Sequence, residues 1–158
     1  MMLTLSINRL RRILIFAIVA AFPFSAAAGS NTATLSCVRP GTAFQFKGTI
    51  PATEEGLDLI FTDDAGSLKI SADEYDASVV KKFSKGVFQL KIMHLQGEEE
   101  ISLYSLPSTM RSQDSGNATK ATFEAVLKNA PAIKPARTDS NWETHEKIRL
   151  LCSYSYSI

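Results

Sequence analysis

Cys37 and Cys152 bracket nearly all of the chain that follows an export-type head. If they pair, the first and last segments of the folded part must lie together, whatever the rest does. Two cysteines in an oxidising compartment most simply form a disulfide. Closing so long a loop removes unfolded-state entropy worth about 5 kcal/mol in the chain-entropy model. A catalytic dithiol is not expected, because such cysteines usually sit two residues apart within one turn.

The oxidising compartment is read from residues 1–28. Arg9, Arg11 and Arg12 come first with no acid among them, then an apolar run from Ile13 to Phe24 broken only by Pro23, then Ser25-Ala26-Ala27-Ala28-Gly29. A basic head, a short apolar middle and small residues before the cut are what a signal peptidase needs. Cleavage is expected after Ala28, leaving residues 29–158 as one exported domain, periplasmic or secreted. The apolar run falls short of the ~20 residues that cross a bilayer as a helix. No later stretch is apolar enough to do so, and no stable membrane span is expected after signal removal. Arg11-Arg12 is a weak twin-arginine signal. Cys37 stands too far past the apolar run to be a lipid-attachment cysteine.

Three of the 17 basic residues and none of the 16 acidic ones lie in that head, so the remainder carries a net charge of −2. A near-neutral domain has no strong general field for nucleic acid or anionic membrane. Its length, about 130 residues, is enough for one domain that buries roughly two-thirds of its unfolded surface.

Period-two patterning dominates that domain. Ile148, Leu150, Cys152, Tyr154, Tyr156 and Ile158 fall on one side of a final strand, and Arg149, Ser153, Ser155 and Ser157 on the other. Leu151 is the exception to this alternation. Leu35 and Cys37 share a face near the other end, so the disulfide would join first and last strands, as neighbours or across two packed sheets. Alternation also marks Phe44–Ile50, Gly86–Leu95, Glu100–Leu106 and Ala121–Lys128. Leu57–Thr62 and Ser67–Ser71 flank Asp63-Asp64-Ala65-Gly66 and read as a hairpin. Tyr75, Val79 and Phe83 are spaced four apart after Ser71 and Asp73, which predicts a short helix over 73–83, although Val79-Val80 would also suit a strand. Pro107–Thr119 and Asn129–Asn141 are polar and read as loops, the default places for binding. The expected fold is mostly β: an antiparallel sandwich, or a small barrel, of seven or eight strands with one short helix, closed by one disulfide. The sandwich is preferred, since each strand shows one apolar face.

Little in the chain points to catalysis. A zinc site needs about three converging ligands; His94, His145 and Glu143 could supply them only if brought together, and a solvated, charged strand start explains the last two as well. No serine stands in a Gly-x-Ser-x-Gly turn. Asp63-Asp64 and Glu98-Glu99-Glu100 offer paired carboxylates of the type used in glycoside hydrolysis, but both read as hairpin turns. No cofactor and no metal are expected. Trp142, the only tryptophan, and Tyr104, opposite the apolar face of its strand, are the expected partner contacts. The sequence thus favours a small exported binding protein, an inhibitor or accessory factor for an envelope or secreted protein. The alternatives are a small hydrolase with a dispersed site and a small outer-membrane β-barrel.

Overall fold

The computed structural model describes residues 32–53, 56–97, 100–131 and 147–158. The export-type head, Glu98, Glu99, Trp142, Glu143 and His145 lie outside the described residues. Ten antiparallel strands form one sheet: β1 (Thr32–Val38), β2 (Gln45–Pro51), β3 (Asp58–Asp63), β4 (Gly66–Ser71), β5 (Tyr75–Lys82), β6 (Val87–His94), β7 (Glu100–Ser105), β8 (Arg111–Asp114), β9 (Ala118–Lys128) and β10 (Ile148–Ser157). The sheet order is β4-β3-β2-β1-β10-β9-β7-β6-β5, with β8 added on β9.

That order curls the sheet into a nearly closed barrel. Its outermost strands, β4 and β5, are consecutive in sequence and joined only by residues 72–74. Ser71 and Tyr75 therefore lie within about 14 Å of each other, and the ends of the sheet must approach. No ladder joins them. Near the gap, the Lys81 ammonium of β5 donates to the carbonyl of Ala52, just past β2, at 3.3 Å.

Alternation sets the core. Inward residues include Leu35, Phe46, Ile50, Leu59, Phe61, Ile70, Phe88, Leu90, Ile92, Leu103, Leu127 and Leu150, all at most 2% exposed. Phe46 and Phe61 stack at 4.7 Å between ring centroids. With Leu90, Ile92, Ile101, Leu103 and Leu127, from strands that are not their neighbours in the sheet, they leave no room for a water molecule. The barrel is filled, as small barrels are. Gly48, inward-facing on β2, has φ +151°, and a β-carbon there would collide with the Asp58 carbonyl of β3. A glycine lets these two strands close.

The disulfide is formed, and it joins neighbours. Cys37 and Cys152 are directly opposite in the β1–β10 ladder, with Cα atoms 4.1 Å apart. Both are buried, at 0% and 5% exposure.

Two elements depart from the sequence expectation. Residues 75–82 form β5 rather than a helix, with only a 3-10 turn at Phe83–Lys85. Residues four apart share a face in a strand as well as in a helix, so Tyr75, Val79 and Phe83 could not distinguish the two. The β-branched pair Val79-Val80 and pairing along the whole of β6 decide for the strand. The polar stretch 107–119 is also not simply a loop: it holds a 3-10 turn at Pro107–Thr109, then β8 and the start of β9. β5 and β8, added to the eight strands legible in the sequence, make ten. Between sandwich and barrel, the structure takes the barrel.

Candidate functional site

The ladder beside β9 is broken in one place, and the break shapes the outer surface. Ser105 of β7 pairs with Ala125, and Arg111 of β8 pairs with Thr122. Six steps on one side face three on the other, so β7 and β8 are two halves of one strand with three extra residues between them. Pro107 turns the chain out of the ladder here, since it has no N–H to give. The backbone groups that the bulge would orphan are satisfied. Leu106 N–H donates to the Glu124 carbonyl at 2.7 Å. Glu124 N–H donates to the Thr109 hydroxyl at 2.9 Å, which in turn donates to the Leu106 carbonyl at 2.8 Å. Thr109 is thus the polar pin of the bulge. Gly86 lets η1, the Phe83–Lys85 turn, back it closely: at φ +72°, a β-carbon there would lie 2.7 Å from the Pro107 carbonyl.

Thr109 forms one side of a groove of about 440 Å³ on the outside of the barrel. Its floor is the outer face of β1, β10 and β9: Ser36 and Val38, Leu151 and Ser153, Thr122 and Glu124. Register explains the grouping, because Val38 opposes Leu151, Leu151 opposes Glu124, and Ser153 opposes both Ser36 and Thr122. Val38 is 40% exposed and Leu151 48%. Among the described residues, they are the only large exposed apolar side chains that oppose one another across a ladder. Beneath them lies the disulfide, which fixes β1 to β10. Glu124 is neutralised by Arg149, whose Nε lies 3.3 Å from its carboxylate.

The expected residues that the structure describes are placed elsewhere. Tyr104 stands half-buried on the outer face of β7 with the Lys128 ammonium 5.2 Å from its ring centre, a cation–π contact beyond the groove. Nearby, Glu100 accepts from the Ser102 hydroxyl at 2.5 Å and pairs with Lys91 at 3.1 Å. These contacts hold its carboxyl below the usual carboxylate range, the hydrogen bond from Ser102 first. Asp63 and Asp64 sit at the β3–β4 turn, where Asp63 accepts from Ala65 N–H at 2.6 Å. His94 ends β6, its ring edge-on to Tyr75 at 4.9 Å and its Nδ1 accepting from Gln96 N–H at 3.1 Å. Tyr75 follows the end of β4 remote from Asp64, and five strand steps of about 3.4 Å separate those ends. The structure does not bring Asp63, Asp64 and His94 together. Among the described residues, no group of three or more His, Cys, Asp or Glu could hold a metal ion.

At the inner end of the barrel near the gap, Lys81 lies 6.0 Å and 5.8 Å from the ring centres of Tyr154 and Tyr156. Phe83 and Phe88 pack on Tyr154 at 4.9 Å and 5.8 Å. Burial pushes the Tyr154 phenol up to about 12 and lowers the Lys81 ammonium. This cluster fills the interior between β5 and β10.

The groove was not evident from the sequence. Its one signal is Leu151, the apolar residue that breaks the alternation of β10. Comparison with protein-family models, curated proteins and solved structures finds no match for this chain.

Proposed function

We propose that the chain is an exported, disulfide-stapled barrel that binds another protein through the outer groove on β1, β10 and β9. The observation that carries this reading is the exposed Val38–Leu151 pair, held over a buried disulfide beside a pinned bulge. An apolar pair on a rigid, hydroxyl-lined floor is suited to seat one anchoring side chain of a partner. The filled interior turns the search outward, since a small ligand needs a cavity. The export-type head and the disulfide support an envelope or secreted setting, where an inhibitor or accessory factor would act.

The outward residues argue against a bilayer-spanning barrel. Lys47, Lys69, Lys91, Lys120, Glu124, Lys128 and Arg149 point outward from the strands while apolar side chains fill the inside. A bilayer-spanning barrel carries an outer apolar band and a polar interior. The hydrolase reading lacks a converged set of groups among the described residues.

The test is capture from envelope and culture-fluid extracts on oxidised protein. Wild type is compared with Leu151→Asp and with Val80→Asp, which alters an exposed valine on β5. A stoichiometric partner retained by wild type and Val80→Asp but lost by Leu151→Asp is expected. Retention by all three proteins, or no partner at all, would overturn the groove as the binding site.

A further inference from the structure

The charge around the groove is one-sided. On the outer face from β4 across to β8, the strands present six cations, Lys69, Lys47, Arg149, Lys120, Lys128 and Arg111, and two acids, Asp58 and Glu124; Lys128 lies over the Tyr104 ring, away from the groove. Both acids are already used: Asp58 pairs with Lys69 at 3.0 Å and Glu124 with Arg149 at 3.3 Å. Lys47, Lys120 and Arg111 have no acidic partner among the described residues. The Arg111 guanidinium donates only to the carbonyls of Met110, at 2.9 Å, and Ser108, at 3.5 Å, which leave its charge uncompensated.

Register puts these three cations around the groove. Lys47 is opposite Ser36, on the β2 side. Arg111 is opposite Thr122, on the β8 side. Lys120 is opposite Ser155, one outward position beyond Ser153. Between them stand short hydroxyl side chains, Ser36, Ser153, Ser155, Thr34 and Thr122, that leave the face low and able to donate hydrogen bonds. A flat hydroxyl floor ringed by unpaired cations complements carboxylates.

Resting on the groove reading above, we propose that the bound partner is a protein segment rich in Asp and Glu that carries one large apolar side chain. The apolar side chain seats on Val38 and Leu151, and flanking carboxylates meet Lys47, Arg111 and Lys120. A second copy of this chain placed face to face would set these cations against themselves, and like charges across an interface are repelled. A lipid surface would call for more exposed apolar area than one opposed pair supplies.

The test pans short random displayed peptides on the oxidised protein at low salt, with counter-selection on Lys47→Glu/Arg111→Glu/Lys120→Glu. That variant changes exposed side chains, and its melting curve checks its fold. Enriched peptides are expected to be acidic with one large apolar residue. They should bind about tenfold more weakly to the triple variant, to Leu151→Asp, and to wild type once salt shortens the screening length to about 3 Å. Neutral or basic winners, equal binding to the triple variant, or no enrichment would overturn the proposal. So would tighter binding of heparin or of phosphatidylglycerol vesicles that depends on the same cations, which would reassign the face to polysaccharide or lipid. A captured partner that needs Leu151 but ignores the three cations removes only the acidic assignment. Loss of the Leu151 dependence removes the groove reading itself.

Discussion

The barrel closes in two places, and by different means. At the seam, β1 meets β10 through a ladder of five residue pairs, Thr34–Val38 against Leu151–Ser155, with a disulfide inside it. At the gap, β4 and β5 approach without a ladder, and the Lys81–Ala52 hydrogen bond ties β5 to the end of β2 beside it. The difference follows from sequence distance. The seam joins residues 115 apart, and bringing such distant segments together costs loop-closure entropy before any contact rewards it. The gap joins strands linked by residues 72–74, so the chain itself holds them near. Covalent reinforcement is placed where closure is non-local and is missing where closure is local. The candidate binding groove lies on the reinforced side.

The largest expected effect falls on the seam. Cys37→Ser/Cys152→Ser should lower unfolding stability by up to about 5 kcal/mol, measured by urea denaturation of the folded variant. In the wild type, both sulfurs are buried, so reductant should act only through opening of the seam. If reduction proved fast in the native state, or the double variant lost less than about 1 kcal/mol, the seam would not depend on its staple.

A smaller effect falls on Tyr154, a seam residue opposite Leu35 that packs inward against Phe83 and Lys81 from the gap side. Burial raises the Tyr154 phenol from its ordinary 10.0 to about 12 in the folded state. The native state therefore keeps a proton that the unfolded chain loses between these values. This stabilising term is fully present below pH 10 and is lost as pH rises through 12. Lys81 acts the other way: its folded pKa lies below 10.5, so between its folded value and 10.5 the unfolded state holds more protons and stability rises with pH. Tyr154→Phe should move the alkaline unfolding midpoint upward, followed by tryptophan-independent far-UV circular dichroism. An unchanged midpoint would show that the phenol is not what fails at high pH.

The same contrast explains what could be read in advance. Eight strands were legible because one side of each is buried, and apolar alternation records that. β8 was not, because Arg111, Ser112, Gln113 and Asp114 are all exposed and bear no apolar face. Over β5 the sequence pattern is ambiguous, because the inward residues Tyr75 and Val79 recur at a spacing that both periods allow. The cysteine pairing was legible from compartment and count, but not that the two strands are neighbours. Barrel and sandwich both give strands with one apolar face, so the pattern alone could not choose. The groove depends on register, which sets Val38 against Leu151, and on a bulge pinned by Thr109. Neither is written in any local stretch of sequence.

The central claim is that the seam is the rigid platform that carries the groove. Native-state hydrogen exchange of the oxidised protein, resolved strand by strand, tests it most directly. Amides of the β1–β10 and β9–β10 ladders, with the bulge donors Leu106 and Glu124, should exchange only through global unfolding. Amides of the β3–β4 and β5–β6 ladders beside the gap should exchange faster, through local opening. Seam and bulge amides that exchange as fast as those at the gap would contradict the account.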